Sequence, residues 1–379
     1  MPRGESLIEA ITLSLFLTRT RLRTRLLDHD VGAAAHAADQ RRGVDLARLS
    51  LLLRNPPAHL ADDGRICRAR AVGLLEAAEA AGIAAVAWRD SRYPARLTVL
   101  EDPPAVVWVR GRVDSLARAS VAIVGSRAAS HYALAVAERL ASEVSRKGVA
   151  VVSGLARGVD AAAHRGALAG RGSTVAVLGA GVDISYPADH AALAASIAEK
   201  GALVSELAPG TPPLPHHFPR RNRLISGLAL GVVVIEAAAR SGSLITAGCA
   251  AEQGREVMAV PGNILSGRSR GAHALIRDGA KIVETADDIL EELRLTPTVR
   301  DTADTPAGEP VDDGNSRQVS DPVLRHMDAG ETYALDDLTT LSGLDGADLL
   351  ARLTDLEVEG RVMRLGAGRF VRSRDGMLT

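Results

Sequence analysis

The sequence predicts a doubly wound α/β protein: a mostly parallel, Rossmann-like sheet, preceded by a helical N-terminal domain and followed by a C-terminal winged helix. Three observations carry this. Seven short apolar runs, "VAIVG", "VAVVSG", "TVAVLG", "ALVSE", "GVVVIEA", "EVMAVPG" and "AKIVE", succeed one another between residues 121 and 284. They are continuous in Val, Ile and Ala rather than alternating, as strands buried on both faces are. Helical stretches of about ten to fifteen residues separate them, which gives parallel βαβ units with right-handed crossovers.

Residues 1–90 read as short helices rich in Ala, Leu and Arg, with turn signals at "RNPP" and "ADDG". The early run "LIEAITLSLFL" contains Glu9 and its arginines come after it, the reverse of a secretory signal, so it is expected to be an amphipathic helix. "GIAAVAWRDSRYPARL" then changes character and "DPPAVVWVRG" follows as an extended piece; the Rossmann-like domain is placed at 91–293. Residues 294–319 almost lack large apolar side chains and read as a flexible linker. From 320 to 376 the order is helix, helix, turn, helix and two short strands around "GAG", the order of a winged helix.

The composition, 46% hydrophobic and 24% charged, is that of a soluble globular chain. No segment approaches the ~18 apolar residues of a membrane span. Cys67 and Cys249 are too few for a disulfide framework and fit a reducing cytoplasm. Neither cysteine has metal-ligand spacing and His216 and His217 are adjacent, so no metal is expected, nor any cofactor. Net charge is −1, but it is unevenly spread: residues 118–290 hold 18 basic and 14 acidic side chains, residues 291–379 hold 10 and 18.

In an open parallel sheet, ligands bind beyond the carboxyl ends of the strands. Those ends read Gly125, Ser126, Arg127; "SGLARG" from Ser153; "GAGVD" from Gly179; "EAAARSGSLITA" from Glu236; and "PGN" from Pro261. Glycine admits a ligand to the backbone, helix N-termini offer free amides, and arginine forks complete an anion site. One such loop is explained by helix capping. Several on one edge point to a ligand with more than one phosphate. A dinucleotide fits poorly, because "GSRAAS" is not GxGxxG, Ile184 replaces the third glycine of "GAGVDI", and the P-loop is missing.

"SGLARGVDAAAHRGAL" also holds Ser153, Asp160 and His164, the ingredients of a hydrolase. Asp160 and His164 are four apart and share a helix face, which is ordinarily structural. No GxSxG elbow surrounds the serine. The expectation is that Ser153, Gly154 and Arg157 hold phosphate while Asp160 and His164 brace the turn. Further on, "HHFPRRNRLISG" sets Phe218 beside Arg220, Arg221, Asn222 and Arg223 at a helix start. Cations there oppose the helix dipole unless an anion or acid is close. A phenylalanine among them suits a base stacked on a single strand.

These motifs, with "YPARL", "DPP", "VVSGLARGVDAAAH", "TVAVLGAGVDISYP", "VVVIEAAARSGSLITA" and "VPGN", resemble in order the DNA-processing protein A family (DprA, also called Smf). The resemblance covers roughly 93–290. It implies a basic pocket for single-stranded DNA, homodimerisation, and loading of the recombinase RecA onto strands coated by single-strand-binding protein. In the family this serves natural transformation and recombination. Carried over by motif, Arg127 with Gly125 and Ser126 is the principal phosphate contact. Ser153, Gly154 and Arg157 match the second loop. Phe218, Arg220, Arg221, Asn222 and Arg223 match the arginine loop, and Ser241, Gly242 and Ser243 the serine-glycine loop. Gly262 and Asn263 match "PGN", although Asn263 could simply cap a turn. Residues 1–90 lack the Gly-x-Gly hairpin that family members often carry, which leaves DNA contact there without support.

Two other readings compete. A winged helix usually reads duplex DNA, but "DGADLLARLTDLEVEG" sets Asp345, Asp348, Asp355, Glu357 and Glu359 against one arginine, which suits protein contacts better. A phosphoribohydrolase-like enzyme would use Glu206 and Glu236 as acids beside "SGSLITA". Arginines spread over several loops argue instead for binding without catalysis.

Overall fold

The computed structural model describes residues 3–20, 46, 49–50, 53, 58–296, 321–327, 332–365 and 368–372. "RNPP", at 54–57, and all but the first three residues of the linker expected at 294–319 lie outside them. The chain forms two compact units, one from Met1–Ala129 with Val136–Arg300, the other from Ser130–Ala135 with Asp301–Thr379.

In the first unit the helices α1 (Arg3–Thr20) and α2 (Ala58–Ala80), with residues 46, 49–50 and 53 also helical, precede strand β1 (Ile83–Ala87) and strand β2 (Val106–Gly111) among the described residues. "ADDG", expected to turn, lies inside α2. Asp62 pairs there with Arg65 at 2.6 Å, one turn on, so Gly64 is carried within the helix. The regular part follows as β3 (Ser120–Gly125), α3 (His131–Arg146), β4 (Ala150–Ser153), α4 (Val159–Ala169), β5 (Thr174–Val177), α5 (Ala191–Lys200), β6 (Ala202–Ser205), α6 (His217–Leu228), β7 (Gly231–Ile235), α7 (Ser243–Glu252), β8 (Glu256–Ala259), α8 (Arg270–Arg277), β9 (Lys281–Ile282) and α9 (Ala286–Glu292). Each of the seven apolar runs is a strand.

All nine strands form one sheet in the order β1-β2-β6-β5-β4-β3-β7-β8-β9. The seven from β6 to β9 are parallel; β2 joins β6, and β1 joins β2, antiparallel. Continuous apolar strands do bury both faces. Val175 and Val177 pack with Leu224, Ile225 and Leu228 of α6 and Ala247 and Ala250 of α7. Ala176 and Leu178, between and beyond them, belong to a second cluster with Trp108, Leu203, Ile197, Ile11 of α1 and Ala71 of α2. The chain steps outward from β3 through β4, β5 and β6, then returns to lay β7, β8 and β9 on the other side. The β3–β7 boundary is therefore the topological switch point, where a crevice opens beyond the strand ends.

The second unit contains β10 (Thr332–Ala334), α10 (Leu335–Ser342), α11 (Gly346–Val358), β11 (Val362–Leu365) and β12 (Arg369–Arg372). Its sheet runs β10-β12-β11, and Leu338, Leu349, Leu353, Leu356 and Phe370 form its core. This is a winged helix. Among the described residues, no helix is long and apolar enough to cross a membrane.

Candidate nucleic-acid interface

A cavity of about 680 Å³ opens at the switch point. Its walls are the loop after β3 (Gly125, Ser126, Arg127, Ala128), the start of α4 (Ala156, Asp160), the first turns of α6, and the loop after β7 with the start of α7 (Ala238, Arg240, Ser241, Gly242, Ser243, Ile245, Thr246). α6 contributes Phe218, Pro219, Arg221, Asn222 and Ile225. Tyr186 closes one side.

Glycine is required where these loops meet. Gly158 has φ +78°, and a Cβ there would stand 2.2 Å from the Ser126 carbonyl oxygen. That oxygen accepts the first amide of α4, from Val159, at 3.2 Å, so the loops after β3 and β4 are locked together. On the other wall, Asn222 Nδ2 donates to the Gly242 carbonyl at 3.4 Å and Ser241 and Ser243 share a 2.8 Å hydroxyl contact.

The cavity combines an aromatic patch with positive charge. Tyr186 and Phe218 stand with centroids 5.4 Å apart, tilted at 45°, and the Arg127 guanidinium lies 5.7 Å from the Phe218 centroid. Arg127 and Arg240 are exposed at its mouth. Arg221 lies beneath it, buried, with Nη1 donating to the carbonyls of Gly154, at 2.7 Å, and Val177. Burial pulls its pKa down to about 10, Asp160 opposing that shift and Arg127 adding to it, so it is cationic at neutral pH. Burial also pushes Asp160 above the usual carboxylate range, against the pull of Arg221 and of the Ala156 and Gly154 amides.

The hydrolase ingredients each have a structural occupation. The Ser153 hydroxyl, fully buried, donates to the Ile123 carbonyl at 2.7 Å. Asp160 Oδ2 accepts from the Gly154 amide at 3.1 Å and the Ala156 amide at 3.4 Å. His164 Nδ1 lies 2.7 Å from Thr174 Oγ1, which itself donates to Val151, so the ring nitrogen is the donor. Burial lowers the His164 pKa to about 3, leaving it neutral. Asp160 braces the turn, whereas His164 instead ties α4 to Thr174 of β5.

Nine of the residues expected to contact DNA line the cavity: Gly125, Ser126, Arg127, Phe218, Arg221, Asn222, Ser241, Gly242 and Ser243. The others do not. Ser153 has its hydroxyl turned into the sheet, and Gly154 is buried with its amide on Asp160 and its carbonyl on Arg221. Arg157 points away into an exposed 2.6 Å ion pair with Asp189. Arg223 is ion-paired with Glu206, and with Asp102 at 3.8 Å, its side chain only 15% exposed. Arg220, half-exposed, lies 3.8 Å from Glu206. Those acids are what make cations tolerable in the first turns of α6. Asn263 caps a turn by accepting from the Leu265 amide at 2.7 Å, and Gly262 is held against His273. Glu206 is thus engaged by arginines, and Glu236 lies 3.9 Å from Arg268; neither lines the cavity.

Sequence reasoning missed Tyr186 and Arg240. Both lay in quoted motifs: Tyr186 is one of only seven Tyr and Phe residues, and Arg240 is the one cation in "EAAARSGSLITA".

Comparison with known proteins gives the same picture. The family model described as DNA recombination-mediator protein A matches residues 84–294, and that of the DprA winged helix domain matches 305–368. The chain is 40% identical to Protein Smf of Escherichia coli over 284 residues, 74% of this chain and 75% of that one. The X-ray structure of DNA processing protein A from Streptococcus pneumoniae superposes with TM-score 0.58 at 34% identity, covering 76% of this chain and 96% of that one. The structure of its Helicobacter pylori counterpart, described by its single-stranded DNA binding mode, superposes with TM-score 0.51 at 27% identity, covering 56% and 95%. The resemblance read from the motifs holds, and the chain belongs to the DNA recombination-mediator protein A family.

Proposed function

We propose that the switch-point cavity binds single-stranded DNA without strong sequence preference, and that the protein acts by binding rather than by catalysis. The observation that carries this reading is the pairing of an aromatic patch, Tyr186 and Phe218, with the exposed arginines 127 and 240 at the mouth of one open cavity, above buried Arg221. Bases stack on aromatic faces whatever their identity, while cations take the phosphates and release counterions. A stiff duplex cannot fold its phosphates into such a recess. The H. pylori relative, described by its single-stranded DNA binding mode, supports the ligand class.

On this reading the protein works in the cytoplasm, in DNA processing during transformation and recombination, as a homodimer that loads RecA. Two linked cavities would raise apparent affinity through effective concentration. The exposed acids of α11, Asp348, Asp355 and Glu357, suit protein contacts better than duplex DNA.

The test is fluorescence anisotropy on single- and double-stranded oligonucleotides at two salt concentrations. Arg127→Glu is expected to weaken single-strand binding by about 100-fold, through charge reversal at a phosphate contact. Arg294→Glu, outside the motifs, should change it little. Equal losses from both would mean diffuse attraction and no defined site. Free adenine released from AMP by the purified protein would instead establish an enzyme.

A further inference from the structure

We infer that a bound single strand leaves the cavity across the loop between β8 and α8, where Ile264 and Leu265 contact a base and Arg240, Arg268 and Arg270 face the backbone phosphates. This rests on the reading of the cavity as a single-strand site and extends it by a second subsite.

The loop continues the cavity wall. Arg268 Nη1 donates to the carbonyl of Ala128, a cavity residue, at 2.8 Å. The Gly271 amide donates to the Ala237 carbonyl at 2.7 Å. A Cβ on Gly271 would stand 2.7 Å from the Ala238 carbonyl oxygen, so the backbones of the two loops are in close approach. The rim that carries Arg240 therefore runs directly into the segment that carries Arg268 and Arg270.

The tip of that segment is held by its own polar groups. Asn263 Oδ1 accepts from Leu265, Ser266 Oγ donates to the Asn263 carbonyl at 3.0 Å and accepts from the Arg268 amide at 3.3 Å, and His273 Nε2 sits 3.0 Å from the Gly262 carbonyl. With its polar groups so engaged, the tip presents two neighbouring aliphatic side chains to water, Ile264 at 78% and Leu265 at 90% exposure. Large apolar side chains are seldom left so open without something to cover them.

Charge decides what covers them. Arg268 and Arg270 follow the tip and are exposed, and Arg240 lines the cavity on the neighbouring loop. An apolar pair set among arginines, continuous with a recess lined the same way, matches a polymer whose flat apolar bases alternate with anionic links. Aliphatic side chains are used in this way against base faces elsewhere.

The experiment compares oligothymidylates of about five and about fifteen nucleotides, the span of known single-strand site sizes, on the full chain. The double substitution Ile264→Ser with Leu265→Ser, at exposed positions, should weaken the longer strand by roughly tenfold and leave the shorter one unchanged. As a second readout, Leu265→Trp should show fluorescence quenching with the longer strand only. Equal loss for both lengths, no loss for either, quenching by the short strand, or a changed mass in sedimentation with unchanged DNA affinity would each overturn the inference; the last would make the tip a contact between copies. Arg127→Glu serves as the reference: if it spares both lengths, the cavity reading itself fails, whereas if it abolishes both while the double variant does nothing, only the second subsite falls.

Discussion

Arginines 127 and 240 and arginines 220, 221 and 223 belong to the same unit and to neighbouring motifs, yet they do different work. The first two sit on loops that end β3 and β7 and reach the cavity mouth exposed. The other three sit on α6, where each step along the chain turns the side chain by about 100°. Arg221 turns inward under the cavity, Arg223 turns to Glu206 and Asp102, and Arg220 stays half in solvent. Loop arginines are therefore available to a ligand, whereas helix arginines largely hold the scaffold that shapes the cavity. Residue type tells only that a cation is present; the acids and carbonyls that fold beside it decide whether it is free.

The sharpest way to break this contrast is Arg221→Met. The change removes the donor for the Gly154 and Val177 carbonyls and the positive charge facing Asp160. Breaking a buried charged network costs about 3–5 kcal/mol, because the groups left behind stay desolvated. Urea unfolding should show a loss of that size. Unchanged stability with lost strand binding would move Arg221 into the ligand-contacting set.

The same contrast explains what could be read in advance. Burial on both faces is a local property of a strand, and each apolar run from "VAIVG" to "AKIVE" became one. The rule that ligands sit beyond strand ends brought out Arg127 and the Ser241–Ser243 loop. Ion pairs are not local. Nothing near "PRRNR" in sequence announces that Asp102 and Glu206 fold beside Arg223, or near "LARG" that Asp189 meets Arg157. "ADDG" was misread because turn residues also occur in helix interiors, where Asp62 can pair along the helix. Tyr186 is not legible in sequence because its position against Phe218 depends on the loop after β5 meeting the first turn of α6.

A second prediction concerns the scaffold alone. His164 has an ordinary pKa of 6.5 and is lowered to about 3 in the fold, chiefly by burial, with Arg221, His190 and Arg165 adding to it. The unfolded chain therefore binds a proton that the folded one refuses over the interval between those values. Stability from this group is complete above pH 6.5 and declines as the pH falls towards 3, by at most about 1.4 kcal/mol per pH unit. His164→Gln, which cannot take up the proton, should flatten that part of the acid dependence in urea titrations at stepped pH. An unchanged slope would mean that His164 is protonated in the fold.

The smallest effect is expected at Arg157, which shares a motif with the buried turn but belongs to neither set. Its pair with Asp189 is short, but the two side chains are 63% and 65% exposed, so water and salt screen it. The hydrogen bond that Arg157 donates to the Asp189 carboxylate also holds the arginine's charge, raising its pKa. Arg157→Ala should leave the unfolding midpoint where it was and change single-strand affinity by less than about twofold, since no phosphate contact is lost. A loss approaching that of Arg127→Glu would mean that the strand pulls Arg157 away from Asp189 on binding. In that case Asp189→Ala, which frees the same guanidinium beforehand, should tighten binding, and the division between loop and helix arginines would need a third class: cations held in reserve by a surface acid.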